Sequence, residues 1–471
     1  MAMMYGIDKY LPCNLFRKIE DILKRAPKFI REEEEASYYR ARYKQFSEGL
    51  LNRFDLIAKQ ASFFLVEENY TEHTWKELHA LHYANTNYSH SNKVMRVHFW
   101  NSDLIEKNRK VDDISQEDIR NGYLGYVTLR PVPDYNLMLS FIMPNWLVLK
   151  YDVEAWIMTY ERRVHIVGGE VLIKTTPFYF QDTVFIRCAH ADMLMFSLFL
   201  HHSYNFPRLS ISDMIESNRY YPIPNGGLEY SDMLDIFYRN KIPVNFYYKP
   251  KRSVEKDFRI ECIAVLNSYL ESKLPVIVYN DQHVVLVIGH TNESEKRFIV
   301  YDDSGYFLSD KAESKNFVGI VKAEDLFPDT GETYMIAATY ERVYLNPQEY
   351  FHFLDDYLSD YEKKEEDEFP SNFRQCRNIM VDNAILKGFL NKNCMELDNP
   401  DIGKQMKLLL ETDQPHYLWY SEYTCEDYRY VLLADPTYPS ATSETIFPYG
   451  GFFCKPEGEG ISFLTKVKKR N

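Results

Sequence analysis

No window of this 471-residue chain approaches the roughly 18 uncharged apolar residues that a membrane-crossing helix needs. The N-terminal stretch MAMMYGIDKYLPCNLFRKIEDIL lacks a charged n-region followed by an unbroken apolar run and a small-residue cleavage site, so it does not read as a signal peptide. Positive charge is in deficit: 55 Lys and Arg against 69 Asp and Glu leave a formal charge of −14. That balance argues against nucleic acid as the main partner, because sequence-independent phosphate affinity comes from clustered basic side chains. The basic stretch KVKKR near the end is short and is expected to be a solvated terminus, with electrostatic docking to an acidic surface as the alternative. The seven cysteines are far apart, odd in number and free of C-x-x-C spacing. A reduced, cytoplasmic setting fits them better than a disulfide framework or a cysteine-built zinc site. There is no G-x-S-x-G, no G-x-x-x-x-G-K-[ST] and no H-E-x-x-H, so serine hydrolase, P-loop and zincin chemistry lack support and neither a cofactor nor a metal is expected.

What is present is the composition of a globular protein, 45% hydrophobic and 26% charged, with a length that implies about three domains. Thirty-eight tyrosines and thirty phenylalanines favour strands and thick packed layers over coiled coil. Helices are expected over 12–30 and through LLNRFDLIAKQ, separated by the acidic run REEEEAS. SFFLVEENY then reads as a strand, TEHTWKELHALHYAN as a helix and VMRVHFW as a strand with period-2 alternation. YLGYVTLRPVP and LMLSFIMP are further strands, and Gly168-Gly169 is a hairpin turn between VHIV and VLIK. Residues 1–175 thus form an α+β region without a chemical motif.

From residue 181 the texture changes, with QDTVFIRCAHADMLMFSLFLHHSY placing Cys188 at the start of an apolar helix. LSISDMIE offers Ser210 or Ser212 as an N-cap, and LEYSDMLDIFYRNK and FRIECIAVLNSYLESK are helices, the latter with Ile260, Ile263, Ala264, Leu266 and Leu270 on its apolar face. Strands follow at PVIVY, HVVLVIG and RFIVYD, so residues 176–345 carry helices first and antiparallel strands afterwards. Residues 346–471 form a second α+β region. It comprises a helix around PQEYFHFLDDYLSDY, the acidic linker KKEEDEFP, helix-like NIMVDNAILKGFL and strands at HYLWYSEY and YVLLADP.

The chemistry rests on three stretches. A cysteine reacts as its thiolate, and a helix N-terminus with a nearby imidazolium can lower a thiol pKa from about 8.5 to roughly 3.5–7.5. Most cysteines of intracellular proteins are nonetheless buried small hydrophobes, so Cys188 needs partners. Pairing His290 with Glu295 around a loop at 291–294 puts His283 opposite Asp302, with Cβ atoms roughly 4.5 to 5.5 Å apart. A carboxylate there takes one imidazole N–H and leaves the other nitrogen for the cysteine. Asp303 would need a bulge or an extra loop residue and ranks second. His79 and His82 beside His73 lack a carboxylate or cysteine to complete a metal pattern, and His201-His202 at the end of the Cys188 helix suit its dipole.

The order of these elements resembles the papain-like cysteine peptidases, most closely the bacteriocin-processing double-glycine peptidases. R-C-A-H-A-D-M-L-M-F at Cys188, Gly227-Leu228, H-V-V-L-V-I-G at His283 and F-I-V-Y-D at Asp302 carry the resemblance over about 178–310. It implies an α+β papain-like core with a helical layer bearing the cysteine and an antiparallel sheet bearing His and Asp. It also implies a bacterial hydrolase of a peptide or isopeptide bond, with catalytic Cys188, His283 and Asp302. Family members usually place an oxyanion glutamine six residues before the cysteine. Here Asp182 stands there and Gln181 lies one residue further, so Gln181 takes the role only if the backbone accommodates the extra residue. The small residues usual after the cysteine are partly replaced by His190 and Asp192. The partners implied are a peptide or protein substrate and, through the flanking regions, another protein. An inactive papain-like scaffold with a binding or regulatory role, and an acyl or peptidyl transferase with the same residues, are the rival readings.

Overall fold

The computed structural model describes residues 2–6, 61, 63–85, 90–101, 117, 120, 122–130, 137–143, 153–166, 169–181, 188–216, 228–249, 256–281, 283–291, 297–304, 307–308, 318–364, 374–394, 411, 413–424, 429–442, 445–446, 452–454, 463 and 465–467. The helices expected at 12–30 and through LLNRFDLIAKQ, the run REEEEAS and most of KKEEDEFP lie outside them.

The first elements are β1 (Ala2–Gly6), β2 (Phe63–Tyr70), α1 (His73–Leu81), β3 (Val94–Trp100), β4 (Tyr123–Leu129), β5 (Ser140–Ile142), β6 (Ala155–Ile157), β7 (Tyr160–Ile166) and β8 (Gly169–Phe178). All these strands but β6 form an antiparallel sheet of order β1-β2-β3-β4-β5-β8-β7. Ile166 pairs with Gly169, so Gly169, expected in the turn, is already the first residue of β8. β3 departs further from expectation: all seven residues are buried, where period-2 alternation implied one wet face. Arg96 and His98 lie on the same face by that period, and Glu67 stands directly opposite Arg96 on β2. The Glu67 carboxylate takes Arg96 Nε at 2.6 Å and His98 Nε2 at 3.0 Å, and the Arg96 guanidinium lies 4.0 Å from the Tyr70 ring centroid. Mutual pairing, rather than water, satisfies this polar face.

The central elements are α2 (Cys188–Tyr204), α3 (Ile211–Glu216), α4 (Tyr230–Arg239), β9 (Val244–Lys249), α5 (Lys256–Glu271), β10 (Val276–Tyr279), β11 (Val284–Thr291), β12 (Arg297–Tyr301), β13 (Val318–Lys322), α6 (Ala323–Leu326) and β14 (Thr333–Ala338). Their strands form a second antiparallel sheet of order β13-β12-β11-β10-β14-β9. The helix α2 packs against β8, β10 and β11. From Ala191 to Leu200 every residue of α2 is buried, as befits a helix apolar on all sides. Ser210 caps α3: its Oγ accepts the Asp213 N–H at 3.0 Å while Asp213 Oδ2 accepts the Ser210 N–H at 2.8 Å. Ile260, placed by sequence on the apolar face of α5, is 70% exposed; Cys262, Val265, Leu266, Tyr269 and Leu270 face the core instead.

The remaining elements are α7 (Pro347–Lys364), β15 (Arg374–Asp382), α8 (Asn383–Cys394), β16 (Tyr417–Thr424), β17 (Arg429–Ala434), β18 (Phe452–Cys454) and β19 (Thr465–Val467). β15 to β18 form a third antiparallel sheet in sequence order. NIMVD, expected to start a helix, is the end of β15. Asp382 stops the strand and starts the helix by accepting the Ala384 N–H at 2.8 Å. Arg377 ties this sheet to the central layer, pairing with Glu422 at 2.7 Å and approaching Glu271, whose other oxygen meets His290 Nε2 at 2.8 Å. β6 pairs with β11 on one side and with β19 on the other. The first residues of KVKKR are therefore strand rather than solvated tail, and Lys466 pairs with Glu154 and lies over the Trp156 ring. Among the described residues no helix is long and apolar enough to cross a membrane.

Candidate functional site

Cys188 is the first residue of α2, and its free thiol is half-buried at the start of a helix whose middle, 191–200, is sequestered. The histidine comes from the turn between β10 and β11. Tyr279 pairs with Val284, and between them Asp281 has φ 69°. Asn280 Oδ1 accepts the His283 N–H at 3.1 Å, and its amide donates to the Asp325 carbonyl at 3.1 Å, so the turn is anchored from outside.

The expected register is wrong, and so is the placement of the two residues within strands. Leu286 pairs with Tyr301 and His290 with Phe298, with a bulge between Val287 and Gly289, so the connection is longer than a 291–294 loop. His283 precedes β11 and Asp302 follows β12. They meet because both leave the same end of the hairpin, and there the chain can bring the following aspartate in as well. His283 Nε2 lies 3.2 Å from Asp302 Oδ1 and 3.1 Å from Asp303 Oδ1. Asp303, ranked second by sequence, stands level with Asp302 without needing a ladder position.

The two carboxylates are held differently. Asp302 Oδ2 accepts the Leu308 N–H at 2.9 Å, and Oδ1 accepts from the Ser304 N–H at 3.2 Å and the Ser304 hydroxyl at 3.0 Å. Burial works against its charge, but His283 and these donors outweigh burial and hold its pKa below the usual 3.8. Asp303 lacks that cradle; its Oδ2 is buried without a partner, and burial together with the Asp302 charge raises its pKa to about 6. For His283, burial opposes the imidazolium, yet hydrogen bonds to Asp302, Asp303 and Cys188 prevail and raise its pKa above 6.5. Nε2 is occupied by the carboxylates, with the Ser304 hydroxyl 3.3 Å away, and the ring also engages the Cys188 side chain.

His283, Asp302 and Asp303 place one ligand atom each within 4.8 Å of one another, a set that could surround a cation. Both carboxylates already contact one ring nitrogen at hydrogen-bond distance, and ion pairing accounts for the arrangement. Gln181 follows β8, where its main-chain carbonyl accepts from Arg130 Nη2 at 2.8 Å. Residues 182–187, including Asp182, lie outside the described residues. His202 departs from its expected part in the helix dipole. It stacks on Tyr160 at 4.8 Å, and desolvation together with the Arg162 charge brings its pKa down to about 4, leaving it neutral. His79 donates to the His90 carbonyl and His73 is exposed; burial, then the charges of His79 and His82, lower the His90 pKa, and among the described residues these histidines are not part of a three-ligand set.

Sequence reasoning noted Asp192 only as a departure from the usual small residues and missed its effect on the site's electrostatics. Asp192 lies one helical turn beyond Cys188, wholly buried, with neither carboxylate oxygen hydrogen-bonded. Burial, then the charge of Asp303, push its pKa well above 3.8. The signal was a carboxylate inside the run Ala-Asp-Met-Leu-Met-Phe, where only apolar residues are otherwise affordable. Tyr279 and Tyr334, stacked at 4.8 Å, also lie within electrostatic reach of Cys188 and were unforeseen.

No family model matches the chain, and no curated protein does either. Among solved structures, a crystal structure of UfSP from C. elegans is similar at 12% identity and a TM-score of 0.26. The likeness covers 35% of this chain and 33% of that one, too slight to bear on the site.

Proposed function

We propose that the chain is a papain-like thiol hydrolase that cleaves a peptide or isopeptide bond through Cys188, His283 and Asp302. The reading is carried by one observation: a buried imidazole held by two aspartates through Nε2 also engages the cysteine at the start of α2. The Cys188 sulfur attacks the acyl carbon and forms the C–S bond of a tetrahedral adduct. His283 passes a proton to the departing amine as the C–N bond breaks, leaving a thioester. A water, deprotonated by the same ring, then releases the acid and regenerates the thiol. Asp302 orients the ring, with Asp303 as a second carboxylate on the same nitrogen. Gln181 and the Cys188 main-chain N–H are assigned to the oxyanion. The regions 1–175 and 346–471 would select the substrate or restrain the site, and the substrate would be a peptide or protein.

The test is labelling by an electrophilic peptide probe. Cys188 should be modified in the wild-type protein and lose that reactivity in His283→Ala. Equal, slow labelling of both would overturn the reading and leave a binding scaffold. Addition of amines during turnover separates hydrolysis from acyl transfer, since a transferase would return the amide rather than the acid.

A further inference from the structure

Four ionisable side chains crowd the interior behind the thiol: Asp192 on α2, His283 at the head of β11, and Asp302 and Asp303 after β12. With Cys188 on its own helix, these are the groups whose charge Asp192 feels, and the Tyr334 phenol on β14 feels Asp192 in turn. If every carboxylate were ionised, three negative charges would face a single imidazolium in a space with little water, a combination that burial strongly disfavours. Asp302 is secured by its main-chain donors and by Ser304. The imbalance therefore rests on Asp192 and Asp303, and these two share a feature. Both Asp192 oxygens and Asp303 Oδ2 are buried with no hydrogen-bond partner. Unsatisfied acceptors at this depth are rare in folded proteins unless a proton makes one of them a donor.

We propose that Asp192 is a positioning residue of the site: as a neutral carboxylic acid it supplies a hydrogen-bond donor to Asp303, so that Asp303 keeps its negative charge toward His283. Its position one turn past Cys188 puts it on the same face of α2 as the thiol. The proton stays on the Asp192 oxygen, and no transfer to substrate is involved. This role rests on the proposed hydrolase reading, since it matters only if His283 serves Cys188. A packing role would ask for an apolar residue of the same size, which would cost less to bury than an acid without partners.

Two measurements test it. The first is infrared difference spectroscopy of wild-type protein against Asp192→Asn at pH 7. The wild type should show a protonated-carboxyl C=O stretch that the variant loses; an unchanged spectrum in that region would mean that Asp192 is ionised and would end the proposal. This readout needs no activity, so it stands even if His283→Ala shows that Cys188 labelling is independent of the ring. The second is the pH profile of Cys188 labelling. Asp192→Asn, neutral and still a donor, should lie on the wild-type profile. In Asp192→Ala, Asp303 loses its donor and takes up a proton more readily, so the acid limb should move up by about one pH unit. In an Asp303→Asn background, Asp192→Ala should have no further effect. Superimposable wild-type and Asp192→Ala profiles would reduce Asp192 to a structural residue, and an acid limb shifted downward in Asp192→Asn would show it to be charged. Either result overturns the proposal.

Discussion

His283 presents one ring nitrogen, Nε2, to two consecutive aspartates, at 3.2 Å from Asp302 and 3.1 Å from Asp303. Near-equal distances conceal unequal support. Asp302 is fixed by Leu308 and Ser304, whereas Asp303 has an oxygen with nothing to accept from. Charge on Asp302 is therefore built into the fold, and charge on Asp303 is conditional.

That asymmetry gives a stability ranking. Asp302→Ala removes a buried, paired carboxylate and orphans the Leu308 and Ser304 N–H groups, a loss expected at about 3–5 kcal/mol. Asp303→Asn removes a charge that burial already disfavours and should change stability by about 1 kcal/mol or less. Urea unfolding of the two variants checks this. The reverse order would mean that Asp303 carries the structural charge.

His98 should make the protein acid-sensitive. Burial lowers its pKa to about 4, with the Arg96 charge adding to the effect and Glu67 opposing it. The unfolded chain takes up a proton near pH 6.5 and the folded one only near 4. The stability is therefore present above 6.5 and is lost as pH falls between these values, by up to about 3 kcal/mol. His98→Gln keeps a donor for Glu67 without titrating. Unfolding free energies measured from pH 7 to 4 should fall less steeply in that variant than in the wild type, and parallel curves would refute the assignment.

How much of this was open to sequence reading can be seen from His283 and Asp302. Residue order alone brought them together, because a histidine before one strand and an aspartate after the next must share an end of the hairpin. The register could not be read, because the polar stretch HTNESEK does not reveal its loop length and the bulge at Val287 to Gly289 absorbs a residue. Asp303 was underrated for the same reason: a ladder argument assigns no place to a residue beyond the ladder. Asp192 was visible as an oddity, but only burial and the company of other charges reveal what an odd residue does. On β3, alternation correctly put Arg96 and His98 on one face and then failed, since periodicity cannot say whether water or Glu67 covers that face.

Arg377 bridges β15 to β16 inside the third sheet and reaches the central layer at Glu271, 3.6 Å away. It makes two bonds to Glu422, at 2.7 and 3.2 Å, with Glu422 itself buried. Arg377→Met leaves that carboxylate the Tyr420 hydroxyl but takes away the Arg377 cation, and is expected to cost about 3 kcal/mol. Arg377→Lys keeps the charge but loses the two-pronged geometry, so an intermediate loss is expected. Thermal unfolding of the three proteins should rank them wild type, Lys, Met; equal melting of Lys and wild type would show that the fork geometry contributes nothing.

Gly289 lets β6 approach β11, and with β6 comes β19 from the far end of the chain. A Cβ at this position would lie 2.2 Å from the Trp156 carbonyl oxygen and 3.0 Å from the Ile157 Cα, both main-chain atoms that cannot rotate away. Gly289→Ala therefore forces the β6 backbone outward, at a cost of about 1–3 kcal/mol. Because β19 pairs with β6, the displacement should reach Thr465, Lys466 and Val467 too. Amide exchange should accelerate at 155–157 and 465–467 together, while 276–279, on the β10 side of the sheet, keeps its protection. Faster exchange at 155–157 alone would show that β19 is held by something other than its pairing with β6, such as the Thr159 hydroxyl bonded to Thr465.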